Sequence, residues 1–380
     1  MTHPDDPLVT DAADTASTLA KLVPPSQAAT AEDTEGSTDQ VSLGRRLRQP
    51  RTILSIAIPL LLLVLGARLF LNIDVQTVIQ AVAEANKWLL LAAFAVFYLG
   101  FPLRGLRWAQ ILKGTGVDIS VKDSTEILFL SWLVNCLVPA KLGDVYRAYL
   151  LKLNAPVSFT RTFGTVFIER ILDLFTIAIL GLAAGFWSFR DGLPPEIQFV
   201  VALGAGTMVV LAGLLFTLRN FGRQILERLR FLPHRVLDLY DRFEEGVFRG
   251  VNRRQLPVLV LLSVGIWATE GMRLYLVVQA LGFPDVSLGI SGAFFVALTG
   301  SLLTAVPLSP AGLGVVDAGM GAVLVLAYGV PPTEAATIVI VDRLISVFSV
   351  IVIGSVLYVV SGKRKGLGLS RPIEAPTPAT

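Results

Sequence analysis

The sequence predicts an all-α polytopic membrane protein with inverted repeats, made of about six full spans and two re-entrant helical hairpins. Three observations carry this prediction. The chain is 53% hydrophobic and only 16% charged, with a mean hydropathy of +0.67, which places it in the polytopic membrane class. Its apolar segments fall into two lengths, one sufficient to cross a bilayer and one too short. Two stretches also nearly repeat each other, Pro139-Ala140-Lys141-Leu142-Gly143 and Pro310-Ala311-Gly312-Leu313-Gly314. Each breaks an apolar region and precedes an acid–arginine pair inside a hydrophobic helix, Glu169-Arg170 and Asp342-Arg343. Helices broken at matching positions of two halves are where transporters hold substrate near the bilayer midplane.

Residues 1–44 hold eight acids against one base, Lys21, and show no apolar periodicity. They read as a disordered acidic cytoplasmic tail. The transmembrane domain follows over residues 45–361. Its first span, Ile53 to Leu71, is preceded by Arg45, Arg46, Arg48 and Arg51, which hold that end in the cytoplasm. Further full spans are expected near Trp88 to Leu112, Thr162 to Trp187, Phe199 to Leu218, Pro257 to Leu281 and Ala335 to Val360. Four shorter apolar pieces, Ile127 to Val138, Val145 to Leu153, Ile290 to Val306 and Val315 to Tyr328, pair around the two breaks. Each pair fits a hairpin that enters and leaves by one face, covered by protein because lipid offers its freed backbone groups no partner.

With both termini inside, the external connections carry only Lys87 and Arg190, and the cytoplasmic ones hold most of the remaining Lys and Arg. This arrangement predicts a multi-pass plasma-membrane protein of two oppositely oriented halves, residues 88–218 and 257–360. The linker between them, 219–256, has arginine in excess over acid, and Val236, Tyr240, Phe243 and Val247 recur at helical spacing. An amphipathic helix on the cytoplasmic leaflet fits, its arginines meeting anionic head groups and its apolar face dipping into the interface; a solvated linker helix fits too. Residues 362–380 form a cytoplasmic C-terminal tail.

A charge in the bilayer costs about 2.5–3.5 kcal/mol on insertion scales, so those retained there serve a path, a pair or a site. The first half keeps Arg104, Arg107, Glu169, Arg170 and Asp173. The second keeps Glu270, Arg273, Asp342 and Arg343. Glu169 and Asp173 share a helix face, and Glu270 and Arg273 stand at a spacing that allows pairing within one helix. One reading is mutual neutralisation that locks the helices together. The other is that the arginine forks bind a phosphate-bearing head group while the carboxylates hold the forks or meet a cationic part of the substrate. The breaks supply a second component: Asn135, Pro139, Lys141, Gly143, Asp144 and Arg147 at the first tip, and Pro307, Ser309, Pro310, Gly312, Gly314 and Asp317 at the second. Proline ends a helix there, glycine permits close approach, and the next helix offers free N–H groups to an anion.

Catalysis finds little support. The two histidines, His3 and His234, lie outside the apolar segments, the single cysteine Cys136 cannot form an internal disulfide, and no Gly-rich phosphate loop occurs. No metal, cofactor or nucleic-acid partner is expected, and the chain reads as a non-enzyme.

These motifs resemble the flippase-like family also described as the lysylphosphatidylglycerol synthase transmembrane region. The likeness covers roughly residues 50–362, through Arg104-Gly105-Leu106-Arg107-Trp108, Asn135 to Arg147, Glu169-Arg170 with Asp173, and Pro307 to Gly314 with Asp342-Arg343. It implies movement of a phospholipid or polyprenyl-linked lipid between leaflets. Bifunctional members carry a soluble aminoacyl-transferring domain after the membrane region. With a short segment after the last span here, the expectation is lipid translocation without aminoacyl transfer. Two further readings stay open: a non-transporting scaffold that gathers a lipid- or glycan-modifying enzyme, and a small-solute secondary transporter.

Overall fold

The computed structural model describes residues 75–138, 140–190, 192, 195–228, 234–251, 253–304 and 309–370. The expected tail over 1–44, the expected span from Ile53 to Leu71, Pro139, Pro307 and residues 371–380 lie outside the described residues. Among those described, the regular secondary structure is helical.

A short helix α1, Val75–Glu84, leads to α2, Lys87–Gly114. Asn86 caps α2 by accepting from the amides of Trp88 and Leu89 at 3.0 and 3.3 Å. The Asn86 amide also donates to the carbonyl of Ala280 at 2.8 Å, tying the start of α2 to the end of α8, Leu256–Leu281. Further along, Arg104 meets Glu270 and Arg107 meets Ser263, so α2 and α8 run antiparallel over their length.

Helices α3, Val121–Leu137, and α4, Leu142–Asn154, are too short to span and pack against each other, matching the expected first hairpin. The pair closes tightly because Gly143 has no side chain: a Cβ there would collide with the Ser131 carbonyl oxygen. Asn135 Oδ1 accepts the Gly143 amide at 2.8 Å, satisfying a group freed by the break. The open ends of both helices meet residues 361–370. Asp123 in the first turn of α3 pairs with Lys363 at 2.6 Å, and Asn154 at the end of α4 donates to the Lys363 carbonyl at 2.7 Å.

Helix α5, Phe159–Ser188, runs 30 residues, with Arg161, Glu169, Arg170 and Asp173 in its first half. Helix α6, Pro195–Arg228, leads to α7, His234–Arg249. The apolar face of α7, for which the sequence left open the lipid interface and a solvated linker, packs on α5. Val247 is buried, the Phe243 ring sits 5.2 Å from Phe167, and Gly246 meets Gly164 so closely that a Cβ on either would strike the opposite backbone. The sequence shows amphipathicity but not the facing glycines that make a protein groove its destination.

The second short pair, α9, Ile290–Leu303, and α10, Val315–Tyr328, matches the expected second hairpin. The last apolar stretch is α11, Pro332–Arg343, a π-helical segment, Leu344–Phe348, and α12, Ser349–Val360. Within it the Ser349 amide bonds the carbonyl of Leu344, five residues back. Four of the described stretches are long and apolar enough to cross a membrane: α2, most of α6, α8 and the 332–360 run. The principal core joins α2, α3, α8, α9, α10 and α11 through Phe97, Phe101, Leu128, Leu274, Phe295, Leu324 and Ile338.

Candidate functional site: a charged cavity between the two breaks

Both breaks turn through the left-handed backbone region at matching positions. Ala140 and Lys141 have φ of 63° and 51°, and their counterparts Ala311 and Gly312 have 52° and 72°. Three non-glycine residues in this region are a strained feature, of a kind that persists where surrounding structure imposes it. The turn at each break leads into a helix whose first turn holds an aspartate, Asp144 in α4 and Asp317 in α10.

Those aspartates meet the arginines of the acid–arginine pairs. Arg170 donates from Nε to Asp144 Oδ2 at 2.8 Å and from Nη2 to Asp144 Oδ1 at 2.7 Å, a two-pronged contact. Arg343 donates from Nε to Asp317 Oδ1 at 2.5 Å, and among the described residues its Nη2 meets only the Met320 thioether, at 3.7 Å. Asp317 Oδ2 accepts the Gly314 amide at 2.8 Å, a task Asn135 performs for Gly143 in the first break.

The acid preceding each arginine faces the other way, toward an arginine of the paired first spans. Glu169 lies 3.3 Å from Arg107, and Asp342 accepts from Arg273 at 2.8 and 3.1 Å. Arg107 also donates to Asp173 and Ser263, both at 2.7 Å, and Asp173 accepts from Trp267 Nε1 at 3.0 Å. Arg147 binds Glu169 at 3.0 Å and rests on the Trp108 ring at 5.0 Å. Arg104 binds Glu270 at 2.7 Å and lies over Trp132 at 4.7 Å. Glu270 also pairs with Arg273, the i,i+3 contact that the sequence suggested.

Between the breaks lies a cavity of about 170 Å³. It sorts the candidates into two sets. Asn135, Lys141, Arg170, Glu270, Arg273, Ser309, Gly312, Asp342 and Arg343 line it. Arg104, Arg107, Gly143, Asp144, Arg147, Glu169, Asp173, Gly314 and Asp317 stand behind the wall as their partners or supports; nothing is described of the Pro310 side chain. The wall carries four cationic groups, Lys141, Arg170, Arg273 and Arg343, against two carboxylates, Glu270 and Asp342, a net of +2. Exposure follows the same division: the Arg170 and Arg343 side chains are 27% and 11% exposed, whereas Arg107 and Arg147 are 0% and 1%. Lys141 forms no ion pair with a described residue.

The sequence reading omitted the aromatic wall of Phe97, Trp132 and Trp267, and also Cys136, Met320 and Ser346. One signal was available for Ser346, which stands one helical turn beyond Asp342 and donates to its carbonyl at 2.9 Å. The tryptophans gave none, since isolated aromatics in apolar helices are ordinary core residues. Among the described residues, no cluster of His, Cys, Asp and Glu suits a metal.

Long apolar helices, paired short ones and a charged cavity among them define an integral membrane protein with a polar interior. The chain belongs to the lysylphosphatidylglycerol synthase TM region family, whose profile matches residues 52–354. A UPF0104 membrane protein of Methanocaldococcus jannaschii is 36% identical over 226 residues, which is 59% of this chain and 92% of that protein. Glycosyltransferase AglD of Haloferax volcanii is 28% identical over 332 residues, covering 78% of this chain and 53% of AglD, so the likeness takes in about half of that protein. A UPF0104 membrane protein of Methanothermobacter thermautotrophicus is 27% identical over 320 residues, 77% of this chain and 93% of the relative.

Proposed function

We propose that this protein is a lipid translocase of the plasma membrane. A phosphate-bearing head group passes through the cavity while its acyl or polyprenyl chains stay in the surrounding lipid. The observation that carries this reading is the net +2 wall, in which Arg170 and Arg343, the most exposed of the clustered arginines, present planar forks suited to phosphate. Lys141 adds a point charge at the tip of the first break.

The two halves act in this reading as inverted repeats. Supporting it are the antiparallel α2 and α8, the matching left-handed turns, and the equivalent pairs Asp144–Arg170 and Asp317–Arg343. The short helix pairs are re-entrant, six spans cross the bilayer, and both termini are cytoplasmic, in keeping with the arginines ahead of Ile53. The family name and the likeness to part of a protein named a glycosyltransferase support a lipid or glycan-linked lipid as cargo, and a lipid- or glycan-modifying enzyme as a partner.

The test is reconstitution of the full chain into vesicles carrying head-group-labelled phospholipid or, separately, a labelled lipid without phosphate. The expected result is that inner-leaflet phospholipid becomes reducible from outside and the phosphate-free lipid does not. Rates equal to protein-free vesicles for every phosphate lipid tried would overturn the reading and favour the scaffold or the small-solute transporter.

A further inference from the structure

We infer that Asp144 is a displaceable counter-ion: a phosphate group entering the cavity takes the Arg170 fork, and the Asp144 carboxylate transfers to Arg147. This rests on the cavity being a phosphate site, and it says how that site is kept filled when empty of ligand.

Three observations converge on it. Arg170 lines the cavity and Asp144 does not, so an anion arriving from the cavity meets the guanidinium from its open side with the carboxylate behind. The contact is two-pronged at 2.7 and 2.8 Å, the geometry a phosphate adopts on the same fork. The carboxylate also has a second host in place. Arg147 Nη2 lies 4.0 Å from Asp144 Oδ1, is buried, and has no hydrogen-bond partner among the described residues. A buried unsatisfied N–H⁺ is costly, so a carboxylate that leaves Arg170 for Arg147 gives up two charged hydrogen bonds, which the phosphate takes over on the Arg170 fork, and gains one on a group that lacked any. Asn135 Nδ2, 3.5 Å from the same oxygen, can follow the movement.

The second break is built differently. Asp317 is tied to the Gly314 amide as well as to Arg343, and among the described residues Arg343 Nη2 has only the Met320 thioether. That fork is half open already, so a phosphate adds to it without displacing the acid. Of the two stations, only the first therefore requires an exchange of partners. Because Asp144 sits in the first turn of α4, the exchange pulls on the tip of the first hairpin.

The experiment uses the full chain in detergent, titrated with dihexanoylphosphatidic acid and with inorganic phosphate, and read by tryptophan fluorescence because Trp132 and Trp267 line the cavity. Asp144→Asn, which weakens the competitor, is expected to bind dihexanoylphosphatidic acid about tenfold more tightly than the natural chain. Arg147→Lys, which keeps the charge and removes the waiting fork, is expected to bind it several-fold more weakly, and adding Asp144→Asn is expected to abolish that defect. Arg170→Gln is expected to lose binding. Natural affinity in both Asp144→Asn and Arg147→Lys, with binding still lost in Arg170→Gln, overturns the exchange and leaves the phosphate site standing. No binding of either probe to the natural chain overturns both. Binding of the lipid probe alone assigns the station to a head group, and equal binding of inorganic phosphate assigns it to a free anion.

Discussion

Arg343 stands twenty-six residues after Asp317 and binds it at 2.5 Å, and Arg170 stands twenty-six residues after Asp144 and binds it at 2.7 Å. In both cases the preceding acid reaches an arginine of the antiparallel pair α2 and α8, Glu169 to Arg107 and Asp342 to Arg273. The two adjacent charges of each pair thus reach different partners, the arginine an aspartate at the start of a hairpin helix, the acid an arginine of a long helix. In the first half this division separates Glu169 and Arg107, which hold helices together behind the cavity wall, from Arg170, which lines it; in the second half Asp342, Arg273 and Arg343 all line the cavity.

Arg107→Ala is expected to destabilise the protein far more than Arg170→Ala. Removing Arg107 takes from buried Asp173 its 2.7 Å ion pair and leaves it Trp267 and a 3.5 Å contact to Arg170, while Glu169 keeps Arg147; breaking a buried pair in this way costs about 3–5 kcal/mol. Asp144, the partner Arg170 leaves, keeps Arg147 nearby. Thermal unfolding in detergent distinguishes the two; equal losses would show that Arg170 is as structural as Arg107.

At the breaks, equivalent positions should respond with opposite sign. Lys141→Gly relieves a left-handed non-glycine residue and is expected to stabilise the chain by about 1 kcal/mol, while weakening head-group binding. Gly312→Ala places a side chain in the same backbone region, against Val316 Cγ2 at 2.5 Å, and is expected to destabilise. Unfolding midpoints of the two variants check the signs.

Gly164→Leu is expected to lift α7 from α5 at a cost of about 1–3 kcal/mol, because the added side chain strikes the Phe243 backbone. Hydrogen exchange over residues 234–249 should quicken in this variant and stay unchanged in Arg170→Gln.

The strap formed by residues 361–370 should be sensitive to acid. Burial opposes the Asp123 charge, but hydrogen bonds from Lys363, Ser370 and Ser120 outweigh it and hold its carboxyl below the ordinary carboxylate range. A carboxyl whose pKa is lowered by folding stabilises above its unfolded value, about 3.9, and loses that contribution as pH falls through the lower folded value. Limited proteolysis of this segment should therefore be slow near neutrality and accelerate below about pH 4. Asp123→Asn should remove the pH dependence and leave the segment cleavable throughout.

The parts of this architecture that a linear pattern encodes were legible in the sequence. Proline and glycine marked both breaks, apolar run lengths separated short helices from long ones, and the Glu270–Arg273 pair sits at helical spacing. Partners across the fold were not legible. Arg107 meets Asp173 sixty-six residues away, and nothing local to Arg107 says whether it faces a ligand, a carboxylate or lipid. The division between lining and supporting arginines arises from packing, as does the destination of α7. The π-helical turn at Leu344–Phe348 falls in an ordinary apolar sequence with no proline or glycine to announce it.

Leaflet translocation of head-group-labelled phospholipid is the most direct test, in vesicles reconstituted with the natural chain, Arg170→Gln, Arg343→Gln and the double variant at equal protein density. If both forks handle one head group in turn, each single variant slows translocation by about tenfold or more, and the double variant falls to the rate of protein-free vesicles. Natural rates in both single variants would contradict the account and return Arg170 and Arg343 to the set of arginines that only hold the helices together.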